Sequence, residues 1–203
     1  MAVVRAYIGL GANMGAAPVT LGRAVVHLGA LPGARLYAVS RLYATRPVGV
    51  IDQPEFHNAV ACLEVPSAAA PVTAAIELLV ALKGLEGAFG RQRRPRWGPR
   101  ELDLDLLLFG RHRLRVERPQ MARSADPERS GVQWLEVPHA SAMERLFVLE
   151  PLADISPRLV PPGWHVTVAT ARDRRRSIEG VDAVRPVAHW GGAGWQRDGA
   201  LSG

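Results

Sequence analysis

Apolar and polar positions alternate from Val3 to Leu10, which predicts a strand, and the chain then turns through GLGANMG. From Pro18 to Leu31 the apolar residues Val19, Leu21, Val25, Val26 and Leu28 follow a helical repeat that Pro32 and Gly33 stop. Arg35 to Tyr43 reads as a second strand, and TRPVGVIDQPEFHNA as a loop rich in turn residues. A third strand covers Asn58 to Val65, and Pro71 to Phe89 predicts a long helix burying Ile76, Leu78, Leu79, Leu82 and Leu85. A last strand ends at Phe109. The order strand, helix, strand, strand, helix, strand predicts an α+β fold, a ferredoxin-like βαββαβ core whose antiparallel sheet carries helices on one face. Gly110 to Glu117 extends as a hairpin, whereas Pro119 to Trp134 is polar and irregular, an insertion expected to lack order. The apolar pattern returns in VPHASAMERLFVLEPLADISP and fades beyond Pro162. The expected organisation is a domain over residues 1–162 and a partly disordered extension over 163–203.

The last predicted strand breaks its own pattern. In RQRRPRWGPRELDLDLLLF, Arg91 to Phe109, Asp103 and Asp105 interrupt an apolar run at alternate positions. Residues two apart on a strand share a face, so the two carboxylates stand side by side, about 6.5 to 7 Å apart. Burying them is costly unless positive charge lies between them. A metal ion would satisfy them, and so would neighbouring arginines on a surface strand. Two carboxylates with water and phosphate oxygens suit Mg²⁺, and the upstream arginines offer planar forks that match phosphate. The flanking leucines favour a strand buried on both faces. His139, Arg145 and the aromatic residues Phe56, Trp97 and Phe147 complete the candidate set, since an aromatic pair suits a flat heterocycle.

Composition narrows the function. At 203 residues, 48% hydrophobic and 22% charged, the chain is sized for one globular domain. No apolar run approaches a membrane span and the N-terminus lacks a signal-peptide pattern, so a cytoplasmic protein without a membrane partner is expected. Cys62 is the only cysteine, which excludes an intrachain disulfide. The net charge of +6 fits a nucleic-acid binder or an enzyme for anionic substrates. Lys83 is the sole lysine, however, so the charge reflects an arginine-rich composition. The aspartates on the candidate sheet strand argue against a phosphate backbone, and no nucleic-acid partner is expected. Gly9, Gly11 and Gly15 are spaced one residue too widely for a dinucleotide fingerprint; the alternative is a tight turn that brings Asn13 near a site. A P-loop and an HExxH helix are absent from the sequence.

Four segments then align in order with one family. RWGPRELDLDLLLFG (Arg96 to Gly110), TRPVG (Thr45 to Gly49), DQPEFHNA (Asp52 to Ala59), and VPH with RLFVLEPL between Val137 and Leu152 closely resemble the 6-hydroxymethyl-7,8-dihydropterin pyrophosphokinases of folate biosynthesis. The resemblance spans roughly Val3 to Leu159. It implies transfer of pyrophosphate from ATP to the pterin hydroxymethyl group, releasing AMP, with two Mg²⁺ ions on Asp103 and Asp105. By motif position it implies that Arg91, Arg93, Arg100, His139 and Arg145 contact ATP phosphates, with Arg91, Arg93 and Arg96 on a closing loop. Glu86 falls at the edge of the nucleotide site, and backbone near Leu106 receives adenine. Phe56 and Phe147 would sandwich the pterin, Asn58 would read its polar edge, and Thr45, Pro47 and Val48 would line it while Trp97 seals the loop. Arg91, Arg96, Asp103 and Asp105 are the expected catalytic set, in a chain expected to act as a monomer.

This chain departs from the family pattern at the 119–134 insertion, which puts the reach of Arg118 in question. Glu136 stands where a neutral residue is common, and Ala140 where proline or an aromatic is usual.

Overall fold

The strand that organises the sheet is β1 (Val3–Ala12), paired on both sides. The computed structural model describes residues 3–46, 53–67, 70–90, 98–123 and 131–197. After β1 come α1 (Ala17–Gly29), β2 (Arg35–Val39), β3 (Leu42–Thr45), β4 (Phe56–Pro66), α2 (Pro71–Ala88) and β5 (Asp103–Phe109). They are followed by β6 (Leu114–Glu117), β7 (Trp134–Val137), α3 (Leu146–Ile155), α4 (Val168–Glu179), β8 (Val184–Trp190) and β9 (Trp195–Gln196). Among the described residues, seven strands form one sheet in the order β5-β1-β4-β3-β8-β9, with β2 also on β4, and β6 pairs with β7 separately. All the pairings are antiparallel.

The strand expected over residues 35–43 is divided at Ser40. Its N–H donates to the Val60 carbonyl at 2.9 Å, and its hydroxyl accepts the Val60 N–H at 2.9 Å. The side chain thus supplies the acceptor that a continuous backbone would have provided, and β2 and β3 use the same partner, β4, on either side of the break.

Helices cover both faces of the sheet rather than the single face expected. Ile8, Leu10, Ala61, Leu63, Leu104 and Leu106 pack with the buried faces of α1 and α2 in one core. Tyr7, Val60, Cys62, Leu107 and Leu108 pack with Val148, Leu149, Leu152 and Val168 from α3 and α4 in a second. The physical reason lies in the strands: NAVACLEV and LLLF are apolar on successive residues, and a strand of that kind needs cover on both sides. This also removes the open sheet face on which a nucleic-acid module would stack bases. Among the described residues no helix is long and apolar enough to cross a membrane.

Residues 163–197 depart further from the expected extension, because they complete the same sheet and its second helical layer. Thr167 caps α4 by accepting the Thr170 N–H at 3.1 Å, and Gly180, at φ 97°, ends it. Beyond it β8 pairs with β3. Three arginines of the basic run of α4 are held in ion pairs. Arg176 reaches the buried Glu150 of α3 through two hydrogen bonds of 2.8 and 2.7 Å, Arg175 pairs with Glu179, and Arg172 with Asp173. The polar pattern misled because only one face of α4 meets α3. The 119–134 insertion is closed at its base, where β6 meets β7 and the Arg118 N–H donates to the Gln133 carbonyl at 2.8 Å.

Glu150 is 4% exposed, so removing its partner leaves a buried charge uncompensated. Arg176→Ala is expected to lower unfolding stability by about 2 to 4 kcal/mol. Urea denaturation followed by circular dichroism would show this as a lower midpoint at unchanged slope.

Candidate active site

The two aspartates stand at the head of β5, half-buried, between Leu102, Leu104 and Leu106, which are buried toward α2. Opposite them on β1 are glycines: Asp105 pairs with Gly9 and Asp103 with Gly11. On the far side of β1, Gly11 pairs with Asn58 and Gly9 with Val60 of β4. A Cβ at Gly11 would lie 3.4 Å from Asn58 Oδ1, and one at Gly9 the same distance from the Leu107 side chain. The missing side chains leave a shallow floor between the carboxylates and Asn58. Gly9 and Gly11 therefore lie within the strand; the turn is made at Gly15, at φ 55°.

Asn13 fixes the rim of this floor. It is 2% exposed, donates through Nδ2 to Gln53 Oε1 at 3.1 Å and the Pro54 carbonyl at 3.2 Å, and accepts the Arg100 N–H at 2.7 Å. One side chain thus ties the approach to β4 to the approach to β5.

Cations surround the aspartates. Arg100 Nη1 donates to Asp103 Oδ2 at 2.8 Å. Burial works against ionisation of Asp105, but the combined fields of Lys83, His139, Arg118 and Arg145 outweigh it and hold its carboxyl below the usual range. Burial lowers the pKa of His139, against the opposing pull of Asp105. Its Nδ1 accepts the Ser141 N–H at 3.3 Å, which places the ring proton on Nε2. Its backbone N–H donates to the Leu107 carbonyl at 2.8 Å, which seats the residue beside β5.

Behind the carboxylates, α2 grips the strand at the residue between them. Glu86 Oε1 accepts the Leu104 N–H at 2.7 Å and Lys83 Nζ at 2.6 Å, and Lys83 Nζ also donates to the Leu104 carbonyl at 2.8 Å. β5 is the edge of the sheet, and this pair satisfies backbone groups there as a neighbouring strand would.

At the other end of the floor, Thr45 and Asn58 are both buried, and Asn58 Nδ2 donates to Thr45 Oγ1 at 3.0 Å. Phe56 pairs with Thr45 across β3 and β4. Phe147 opens α3 half-buried, with the Arg145 guanidinium 5.7 Å from its ring centre. Asp154 of α3 accepts hydrogen bonds of 2.6 and 3.0 Å from the Arg41 side chain and 3.1 Å from its N–H, which fixes that helix against the sheet.

Residues 7–157 match the family described as 7,8-dihydro-6-hydroxymethylpterin-pyrophosphokinase (HPPK). The chain belongs to this family. It is 40% identical over 165 residues to the 2-amino-4-hydroxy-6-hydroxymethyldihydropteridine pyrophosphokinase of Pseudomonas aeruginosa, covering 81% of this chain and 88% of the relative. Similarity to the enzyme of the same name from Methylorubrum extorquens is 37% over 180 residues, 89% of this chain and 100% of the relative. Among solved structures, wild-type Plasmodium falciparum HPPK-DHPS with pteroate superposes with a TM-score of 0.70 at 13% identity. That match covers 97% of this chain and 48% of the other, about half its length, and shows likeness of fold.

Of the residues expected at an HPPK site, Asp103, Asp105, Arg100, His139 and Arg145 gather around the head of β5, and Thr45, Phe56, Asn58 and Phe147 lie on or beside β3 and β4. Leu106 is 2% exposed with its side chain in the core, leaving only backbone to offer a ligand. Glu86 lies behind the strand, 2% exposed, with its carboxylate on the backbone of Leu104. Pro47, Val48, Arg91, Arg93, Arg96 and Trp97 fall outside the described residues. Sequence reasoning left Lys83 without a role; its signal was the chain's only lysine three residues before a buried glutamate. Arg118, left open there, contributes its charge to the field at Asp105.

Glu86→Ala would orphan the buried Leu104 N–H and leave Lys83 without its carboxylate. A stability loss of about 2 to 4 kcal/mol is expected. Faster hydrogen exchange at the Leu104 amide, relative to the Leu10 amide of β1, is the local measurement that checks it.

Proposed function

We propose that this chain transfers pyrophosphate from ATP to the hydroxymethyl group of 6-hydroxymethyl-7,8-dihydropterin, releasing AMP, in folate biosynthesis. The pterin hydroxyl oxygen attacks the β-phosphorus and gives its proton to solvent, while the bond from that phosphorus to the oxygen of the α-phosphate breaks and AMP leaves with that oxygen. The observation that carries this reading is the pair Asp103 and Asp105 above Gly11 and Gly9, with Asn58 and Thr45 across the floor, in a chain of this family.

The residues fit Mg²⁺. Both donors are carboxylates, and among the described residues no cluster of three or more His, Cys, Asp or Glu surrounds them. Such a pair suits an ion that completes its shell with water and phosphate oxygens. Asp103 and Asp105 would hold two ions, which when bound supply neutralisation of the polyphosphate charge. Arg100, His139 and Arg145 bind phosphate oxygens, His139 through its Nε2–H. Arg91, Arg93 and Arg96 add charge from the segment before Gly98, with Arg91 and Arg96 acting at the transferred group, and Trp97 closes over the pterin. Adenine meets backbone at Leu106. Glu86 serves the nucleotide side by setting Leu104 and hence the spacing of the two carboxylates.

Phe56 and Phe147 flank the heterocycle, and Asn58 reads its polar edge. Because Nδ2 is held by Thr45, Asn58 offers Oδ1 as an acceptor, which selects a donor-bearing edge. Thr45, Pro47 and Val48 line the remaining side. Little covalent work falls to the protein in such transfers; alignment and charge neutralisation dominate. We read the core β1-α1-β2/β3-β4-α2-β5 as ferredoxin-like, supported by the order β5-β1-β4-β3. The enzyme is taken to act in the cytoplasm as a monomer.

The test follows AMP formation from ATP with and without 6-hydroxymethyl-7,8-dihydropterin and Mg²⁺. AMP release requires all three in the wild type, and Asp103→Ala and Asp105→Ala each lower kcat by about 100-fold or more, about 3 kcal/mol, with unchanged circular dichroism. Undiminished AMP release in both variants would overturn the assignment of the carboxylates. AMP release independent of the pterin would overturn the substrate.

A further inference from the structure

We propose that the C-terminal strand β8 is part of the wall that holds the heterocycle, with Val184 as a positioning residue for the Thr45 and Phe147 side of the site. This rests on the pyrophosphokinase reading. The residues that match the family end at 157, so β8 lies beyond the matched segment.

Two independent contacts connect β8 to the substrate side. The first is the sheet: Thr45 pairs with Phe56 of β4 on one side and with Val184 of β8 on the other. Without β8, β3 would be a four-residue edge strand, free to fray at the end that carries Thr45. The hydrogen bond from Asn58 to Thr45 would fray with it, and Asn58 would lose the contact that orients its amide. The second contact is a small core. Val184, 5% exposed, packs with Tyr43 and Leu146, both at most 1% exposed, and Phe147 and Ala183 lie against this cluster. An aromatic shelf recognises a flat ring only when its own tilt is set in advance, because ordering it on binding costs affinity. Packing behind Phe147 supplies that order.

The two aspartates lie far from these contacts. β5 and β8 are separated by β1, β4 and β3, which places them about 19 Å apart at ordinary strand spacing. Loosening β8 therefore acts on pterin binding and spares the aspartates. The strand is anchored independently of any ligand: Arg185 pairs with Glu55 at 2.5 Å, and its partner strand β9 packs Trp195 over Gly22 of α1.

Steady-state kinetics on the full chain test the role. Val184→Ala is expected to raise KM for the pterin about five- to tenfold while KM for ATP stays within about twofold, and Val184→Ile restores the pterin value. Ala183→Val, which adds bulk behind Phe147 from a half-exposed position, is expected to raise the same KM and serves if Val184→Ala does not fold. Val25→Ala, an equal truncation in the opposite layer, separates a local effect from general destabilisation and leaves both KM values unchanged. Equal changes in the two KM values, or no change in either with the protein folded, would overturn the proposal. Calorimetry of pterin with a non-hydrolysable ATP analogue distinguishes the two levels. A wild type that neither binds the pterin nor releases AMP overturns the pyrophosphokinase reading and this one together. A wild type that does both, with a Val184→Ala variant of equal pterin affinity, overturns only the role of β8.

Discussion

Two carboxylates on a strand that is otherwise buried need positive charge around them and room beside them. Asp103 and Asp105 meet both conditions. Arg100 engages the first directly, and the field of Lys83, His139, Arg118 and Arg145 outweighs the burial of the second. The room comes from Gly9 and Gly11, which put no side chain beside either carboxylate. Each condition depends on a different element, so the site exists only when β1, β5, α2 and the segments leading into β7 and α3 are assembled.

The edge position of β5 explains why α2 matters beyond its apolar stripe. An edge strand exposes backbone donors and acceptors, and Lys83 with Glu86 takes up those of Leu104. Leu104 lies between the two aspartates, so the same contact that protects the edge sets the geometry of the carboxylates. Asn13 does similar work at the rim, joining the ends of two segments distant in sequence. These buried polar contacts are short and well partnered, as a low-dielectric setting requires. On the opposite flank, Arg41 with Asp154 and Arg176 with Glu150 fix α3, which carries Phe147, between the sheet and α4.

Much of the sheet was legible from periodicity. The strands at β1 and β4 and the helices α1 and α2 follow ordinary apolar repeats, and the interruption of the β5 repeat by aspartates marks the site directly. What periodicity could not assign was which helices cover which face of these strands. Cys62 and Val60 face α3 while Ala61 and Leu63 face α1 and α2, and an unbroken apolar run carries no record of which helices lie on which side. The C-terminal region was opaque for the opposite reason. α4 has a mean hydropathy well below that of the other helices, because its stability comes from ion pairs and one narrow buried face.

The sequence by itself determined the chemistry: two carboxylates two residues apart, arginines before them, and the ordered segments that resemble one enzyme family. Those features are local, since adjacent strand residues keep their spacing in any fold. Tertiary structure decided what lies opposite them. That Gly9 and Gly11 open a floor, that Lys83 supports Leu104, and that Val184 stands beside Thr45 all depend on strand register and on partners 21 to 139 residues away in the chain. Such pairings follow from the packing of the whole chain, because each strand can satisfy its backbone with several partners and only the combined burial of both faces selects one.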